Sequence, residues 1–173
     1  MKSTLLLKAN VFILKLLSKL ILENKMFEIK KIPASALYPI RHEILRKGEP
    51  IGKCIYPNDN AETTTHFGLY DKNLLVGVIS IFETKNPLFS DIKQFQIRGM
   101  AVLESHQKKG YGAALVNEAV AYLKNNEENY TLWFNARIIA VGFYEKLGFE
   151  KIGNAFEIDT IGVHYIMYKK YNN

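Results

Sequence analysis

The chain of 173 residues has one cysteine, Cys54, which excludes an internal disulfide and the stapled architecture of small secreted domains. No His or Asp stands in a telling relation to Cys54, so a small packed residue is expected there and not a nucleophile. No group of Cys and His has metal-ligand spacing, so no metal is expected. The longest apolar runs are a few residues, far short of the ~20 that cross a bilayer. A signal peptide is not expected either, because Lys15 and Lys19 interrupt the only candidate apolar region and no small-x-small cleavage site follows. Together these absences point to a reduced, cytoplasmic setting. Also missing is a basic stripe with interleaved aromatics. The formal charge is +6, yet residues 1–25 carry Lys2, Lys8, Lys15, Lys19 and Lys25 against Glu23 alone. The remaining chain is only mildly basic, so nucleic-acid binding is not expected. There is no internal repeat or low-complexity tract. A hydrophobic fraction of 48% is ample for one packed domain.

Residues 1–25 differ from the rest. Between Leu5 and Leu22, Lys8, Lys15 and Lys19 fall on one narrow helical arc, with apolar residues around the remainder. Three readings stand: an amphipathic helix docking on a membrane surface or a partner, a helix packing on the domain, or an upstream extension of a domain that begins at Met26. The division adopted is an extension over 1–25 and a domain over 26–173.

From Met26 the pattern is regular. Phe27 to Ile32 alternates as a strand. Ser35 is placed as the N-cap of a helix running to about Arg46. Gly48 to Asn60 reads as a loop. Thr64–Tyr70 and Leu74–Glu83 form a hairpin around Asp71-Lys72-Asn73. A loop precedes a long strand, Ile92 to Val102. A helix over Ala113–Asn125, a strand over Tyr130–Asn135 and a helix over Ile138–Leu147 follow, the last closed by Gly148. Two strands, Phe149–Ile158 and Val163–Tyr171, complete the order. This is an α/β mixture with an antiparallel first half and a βαβ-like crossover.

That crossover holds the most informative stretch, Gln107-Lys108-Lys109-Gly110-Tyr111-Gly112. A strand, a basic loop with two glycines and a helix start together make a phosphate seat, because the first helical N–H groups are free and the helix dipole is positive there. Alone, the loop reads equally as a plain strand-to-helix turn. It lacks the third glycine of the dinucleotide fingerprint and the Gly-Lys-Ser/Thr ending of a P-loop. Downstream come Asn135-Ala136-Arg137, Ala140 and Phe143-Tyr144-Glu145-Lys146-Leu147-Gly148-Phe149. With these motifs at this spacing, residues 26 to 171 resemble the GNAT superfamily of acyl-CoA-dependent N-acetyltransferases.

The resemblance implies a central, mixed, mostly antiparallel sheet of about seven strands flanked by helices, with the fourth and fifth strands splayed. It implies acetyl-CoA as cosubstrate, its pantetheine arm lying between those strands as a surrogate strand. Met100, Ala101 and Val102 would offer backbone groups to that arm. Gln107, Lys108, Lys109, Gly110, Tyr111, Gly112 and Ala113 would hold the pyrophosphate. A backbone N–H near Ala101 or Val102 would stabilise the developing oxyanion. Tyr144 matches the family tyrosine that protonates the departing thiolate; read from the helix pattern alone, it is also a core tyrosine.

Two departures from the family pattern matter. Where some members carry a glutamate base on the fourth strand, this chain has Gln96, which cannot take a proton. The base is then a water or another residue: His66, His164 or Glu104. Arg98 shares the face of Gln96 and is a candidate to bind an acidic group on the substrate. Where many members have an asparagine that contacts CoA, this chain has Arg137, with Asn135 two residues earlier. Arg41, His42, Arg46 and Lys47 make the first helix basic, a hint of an acidic amine, although a charge run is usually a solvated face. The expected acceptor is a small-molecule primary amine, attacking the thioester directly. Peripheral membrane or partner contact through residues 1–25, and a homodimer, are admitted but not required. The rival is a CoA-binding sensor or interaction module without catalysis, which the missing strand glutamate fits. A third reading keeps only a nucleotide- or phosphate-binding α/β domain.

Overall fold

The alternating and helical apolar stripes meet on two faces of one sheet in the computed structural model, which describes residues 27–172. The expectations for residues 1–25 lie outside the described residues. Seven strands, β1 (Glu28–Lys31), β2 (Thr64–Asp71), β3 (Leu74–Glu83), β4 (Gln94–Val102), β5 (Asn129–Arg137), β6 (Glu150–Ile158) and β7 (Gly162–Asn172), form one sheet in the order β1-β2-β3-β4-β5-β7-β6. All neighbours are antiparallel except β4 and β5. The helices are α1 (Tyr38–Leu45), α2 (Tyr111–Asn126) and α3 (Val141–Lys146).

The hairpin joining β2 and β3 turns on Lys72 and Asn73, at φ +49° and +69°. Two left-handed residues in a two-residue connection match the right-handed twist of the strands they join. On one face of the sheet, Leu115, Val116, Ala119 and Leu123 of α2 pack against Val76, Ile79, Ile81, Phe95 and Ile97. On the other, Leu37 and Ile40 close over Val78 and Ala101.

Two boundaries differ from the sequence reading for local reasons. Ser35 is not a helix N-cap. It lies in a 3-10 turn over Ala34–Ala36 that starts from extended Pro33, and α1 begins at Tyr38. Pro39 sits in the first turn of α1, where a missing N–H costs nothing. Likewise α2 starts at Tyr111 and not at Ala113, because Gly110 at φ +80° turns the chain into it. The long fourth strand starts at Gln94, since Ile92 is 85% exposed and unpaired.

The feature that positions the site is the parallel junction. β4 and β5 pair over Gln94↔Thr131, Phe95↔Leu132 and Gln96↔Trp133 only. Beyond Gln96 and Trp133 the strands part. A bulge in β4, with Gly99 at φ +59°, bends the strand at the start of the gap.

Candidate active site

Where β4 and β5 separate, a cavity of about 380 Å³ opens. Gln96, Arg98, Gly99 and Met100 of β4 form one wall, and Phe134, Asn135, Ala136 and Arg137 of β5 face them. Leu45, Arg46 and Tyr56 close one end; Ile139, Ala140, Tyr144, Ile158, Ile161 and His164 close the other. Among the described residues, no aspartate or glutamate lines it.

Tyr144 is brought to the gap by α3. Its ring packs on Phe134 at 4.3 Å and Phe143 at 4.8 Å between centroids, and its hydroxyl lies 3.8 Å from Met100 Sδ. Burial pushes the phenol up to about 12, so it stays protonated throughout the physiological range. A buried O–H whose nearest partner is a thioether is held in place by packing, and its proton is uncommitted to any strong acceptor.

Gln96 is buried at the last β4–β5 pair, where the strands part. Arg98, on the same face, is half-buried over the rings of Tyr56, at 4.6 Å, and Phe82, at 5.5 Å. Burial, then the neighbouring Arg41 and Arg46 charges, pull its pKa below the usual arginine value, while Tyr56 and Asp59 oppose them. His164 is buried on β7 opposite Arg137. Its Nδ1–H donates to the Gly162 carbonyl at 2.7 Å, which leaves the Nε2 lone pair without a partner among the described residues.

The glycine loop, outside the cavity lining, is the second candidate element of the site. Gln107 Nε2 donates to the Val102 carbonyl at 3.0 Å and ties the loop to the end of β4. Lys108 at φ +60° and Gly110 at φ +80° turn it onto α2, and the Ala114 N–H makes the first helical bond, back to Gly110. The first-turn N–H groups of Tyr111, Gly112 and Ala113 therefore lack helical acceptors. A Cβ at Gly112 would lie 3.4 Å from Phe143 and 3.7 Å from Met100, ordinary van der Waals contact, so the helix start sits directly beside the β4 wall. Unpaired strand edges at the gap and free N–H groups at a 16-residue helix form a cradle that fits an extended, amide-bearing arm ending in a diphosphate. The side chain of Tyr111 is not part of that cradle. It is buried, and its hydroxyl donates to Asp71 at 2.8 Å, leaving only its backbone for a ligand.

Of the residues singled out in the sequence, the cavity brings together Gln96, Arg98, Met100, Asn135, Arg137, Tyr144 and His164. Ala101, Val102 and residues 107–113 continue along β4 and the loop outside its lining. His66 is not on the cavity wall. Its Nε2–H donates to the Asp59 carbonyl and its Nδ1 accepts from Ser80, both at 2.7 Å, and desolvation lowers its pKa. Glu104 lies in a 3-10 turn ahead of the glycine loop, also off the wall.

The basic face expected on the first helix is corrected. Arg41 is fully buried and pairs with Asp59 through two bonds of 2.7 and 3.1 Å; it also donates to Cys54 O at 2.9 Å and Ser80 Oγ at 2.8 Å. His42 Nε2 meets the Glu49 carbonyl at 2.7 Å. Of that run only Arg46 reaches the cavity. Sequence reasoning missed Tyr56 and Gly99. Tyr56 sits in a loop with no periodicity to betray it, and its ring takes both the Arg41 and Arg98 guanidiniums. Gly99 looked like an ordinary strand residue, yet a Cβ there would lie 2.6 Å from Arg41 Nε.

Comparison with known proteins agrees with this geometry. The acetyltransferase (GNAT) domain family matches residues 51–171. The uncharacterized N-acetyltransferase YitI of Bacillus subtilis is 35% identical over 83% of this chain and 96% of its own length. Among solved structures, an aminoglycoside 6'-N-acetyltransferase complexed with coenzyme A superposes with a TM-score of 0.66 at 14% identity, covering 83% of this chain and 96% of that one. Escherichia coli ElaA superposes with a TM-score of 0.64 at 18% identity, covering 83% and 99%. With the family motifs, the splayed strands and these relatives in agreement, the chain belongs to the GNAT family and is an acetyl-CoA-dependent N-acetyltransferase.

Proposed function

We propose that this enzyme acetylates a small primary amine by direct attack, with Tyr144 as the acid and His164 as the proton acceptor. The observation that carries it is a protonated, buried tyrosine beside Met100 at the point where β4 and β5 part. Acetyl-CoA supplies an acyl group activated as a thioester.

The backbone of Met100, Ala101 and Val102 aligns the donor along β4, and an N–H at Ala101 or Val102 donates to the carbonyl oxygen as negative charge develops there. Lys108, Lys109 and the first N–H groups of α2 hold the diphosphate, and Asn135 and Arg137 on the β5 wall complete the donor site. Tyr144 donates its O–H toward the departing sulfur. His164 offers Nε2 to a proton leaving the amine, directly or through one water. Gln96 only accepts and donates hydrogen bonds. The arginine-lined wall contributes to the same step, because nearby positive charge favours the neutral form of a bound amine. No residue needs to become covalently attached.

A cytoplasmic setting suits a donor of central metabolism and a reduced, buried Cys54. No helix among the described residues is long and apolar enough to cross a membrane. The body of the chain carries little net charge to hold a nucleic acid. Contact of residues 1–25 with a membrane surface or partner, and assembly into a homodimer, are compatible with this reading and not required by it.

The decisive experiment is thiol release from acetyl-CoA over an amine panel, with Tyr144→Phe beside the parent. We expect Phe to lower kcat by about 10²–10⁴-fold, the usual contribution of a general acid, while acetyl-CoA binding by calorimetry persists. Saturable acetyl-CoA binding with no turnover on any amine would instead support a non-catalytic module. Full activity in the Phe variant would remove the acid role from Tyr144.

A further inference from the structure

The cavity wall is electrostatically one-sided. Arg46, Arg98 and Arg137 line it, and among the described residues no carboxylate does. In most proteins a half-buried arginine is paired, since an unpaired charge out of water is costly. Arg98 breaks that rule. Among the described residues it has no side-chain hydrogen bond and no ion pair, only the faces of Tyr56 and Phe82. The nearby carboxylate, Asp59, is committed to Arg41 through both oxygens. Arg46 donates through one Nη to the Leu45 carbonyl at 2.8 Å, and its only ion pair among the described residues is a long one, Nε to Glu49 at 4.0 Å. A guanidinium stacked on an aromatic ring is fixed in plane and keeps its forked N–H edge free, which suits an oxyanion with two acceptors.

Resting on the acetyltransferase reading above, we propose that the acceptor is an amine that also carries an oxyanion group, a carboxylate or a phosphate, held by Arg98 with Arg46 at the Tyr56 end of the cavity. The group would supply the partner that the fold withholds from Arg98. The same wall disfavours acceptors with several ammonium groups, which would meet Arg46 and Arg98 and, among the described residues, no acid.

The test is a matched panel with acetyl-CoA: β-alanine and glutamate against their amides, O-phosphoethanolamine against ethanolamine, and spermidine as the polycation. The oxyanion member of at least one pair should show a kcat/KM about 10- to 100-fold above its neutral partner, the range for a charge-assisted hydrogen bond, and spermidine should be the poorest substrate. Arg98→Met should bring that ratio toward one; Arg98→Lys, which keeps the charge but not the fork, should lower it partway. Calorimetry on the CoA-saturated parent should show the oxyanion amine binding, and the Met variant should lose that binding. If neutral or cationic amines are preferred by the parent, or if Arg98→Met lowers both members of a pair equally, the inference is overturned while the acetyltransferase reading stands. If no amine is acetylated, both fall.

Discussion

Replacing Asp59 with alanine should destabilise this protein more than any other single change near the site. Its carboxylate accepts from both Arg41 Nη atoms, at 2.7 and 3.1 Å, and from the Tyr56 backbone N–H at 2.8 Å. Both side chains of the ion pair are 0% exposed, so the stranded guanidinium has no water to replace what it loses. Cys54 O and Ser80 Oγ satisfy only part of it, and Arg41 Nε already lacks a partner among the described residues. Leaving one buried charge uncompensated costs about 3–5 kcal/mol. With a urea m-value of about 2 kcal/mol/M, the unfolding midpoint should fall by about 1.5–2.5 M. The assay is urea titration followed by emission of Trp133, the single tryptophan, which is 6% exposed when folded. The double variant Arg41→Met/Asp59→Leu strands no charge and loses only neutral bonds of about 1 kcal/mol each, so it should be more stable than Asp59→Ala alone. Completing the cycle with Arg41→Met and Asp59→Leu should give a coupling energy of about 2 kcal/mol or more. Effects that simply add, or an Asp59→Ala midpoint within about 0.5 M of the parent, would refute the argument that this pair is a dry, mutually dependent charge pair.

Alkaline unfolding should report on Tyr144. Burial holds it at about 12 in the folded state, whereas an unfolded tyrosine ionises near 10, so between those pH values the unfolded state binds fewer protons and stability falls as pH rises. The loss is about 2–3 kcal/mol by pH 12, and the decline should be smaller by that amount in Tyr144→Phe; parallel declines would contradict it. Gly99→Ala, at φ +59° with its Cβ 2.6 Å from Arg41 Nε and 2.9 Å from Tyr56, should lower Tm by about 4–8 °C or more. Gly52→Ala, with nothing within 4 Å, should leave Tm nearly unchanged and serves as the control. Acetyl-CoA at 100 times its Kd should add about 2.7 kcal/mol, a Tm rise of about 5–10 °C in a thermal-shift assay, and ATP should not reproduce it.

The sequence made the topology legible because its signals are local. The type I′ turn at Lys72-Asn73, the crossover through the glycine loop and the stripe of α2 each depend on residues a few positions apart. The candidate site was legible where it sits on those elements: Met100, the loop and Tyr144. What could not be read was set by distant partners. Arg41 looked like one more charge on a solvated face, but its counterion is 18 residues away in an irregular loop. His66 looked like a free base on a strand until Ser80, on the next strand, and the Asp59 carbonyl took both its nitrogens. His164 and its unpartnered Nε2 depend on a carbonyl two residues away whose direction only the folded turn defines.

Among the described residues, the sheet order also leaves β1 and β6 as the two outermost strands, and neither invites another chain. β1 is four residues long and carries Glu28, Lys30 and Lys31. β6 loses its register with β7 between Ile152 and Phe156, with Gly153 at φ +73°. A short charged rim on one side and a kinked rim on the other are poor templates for open-ended strand addition, because a docking strand needs a straight row of N–H and C=O groups. A protein built around a seven-stranded sheet can thus be concentrated in a crowded cell without that sheet becoming the seed of fibres.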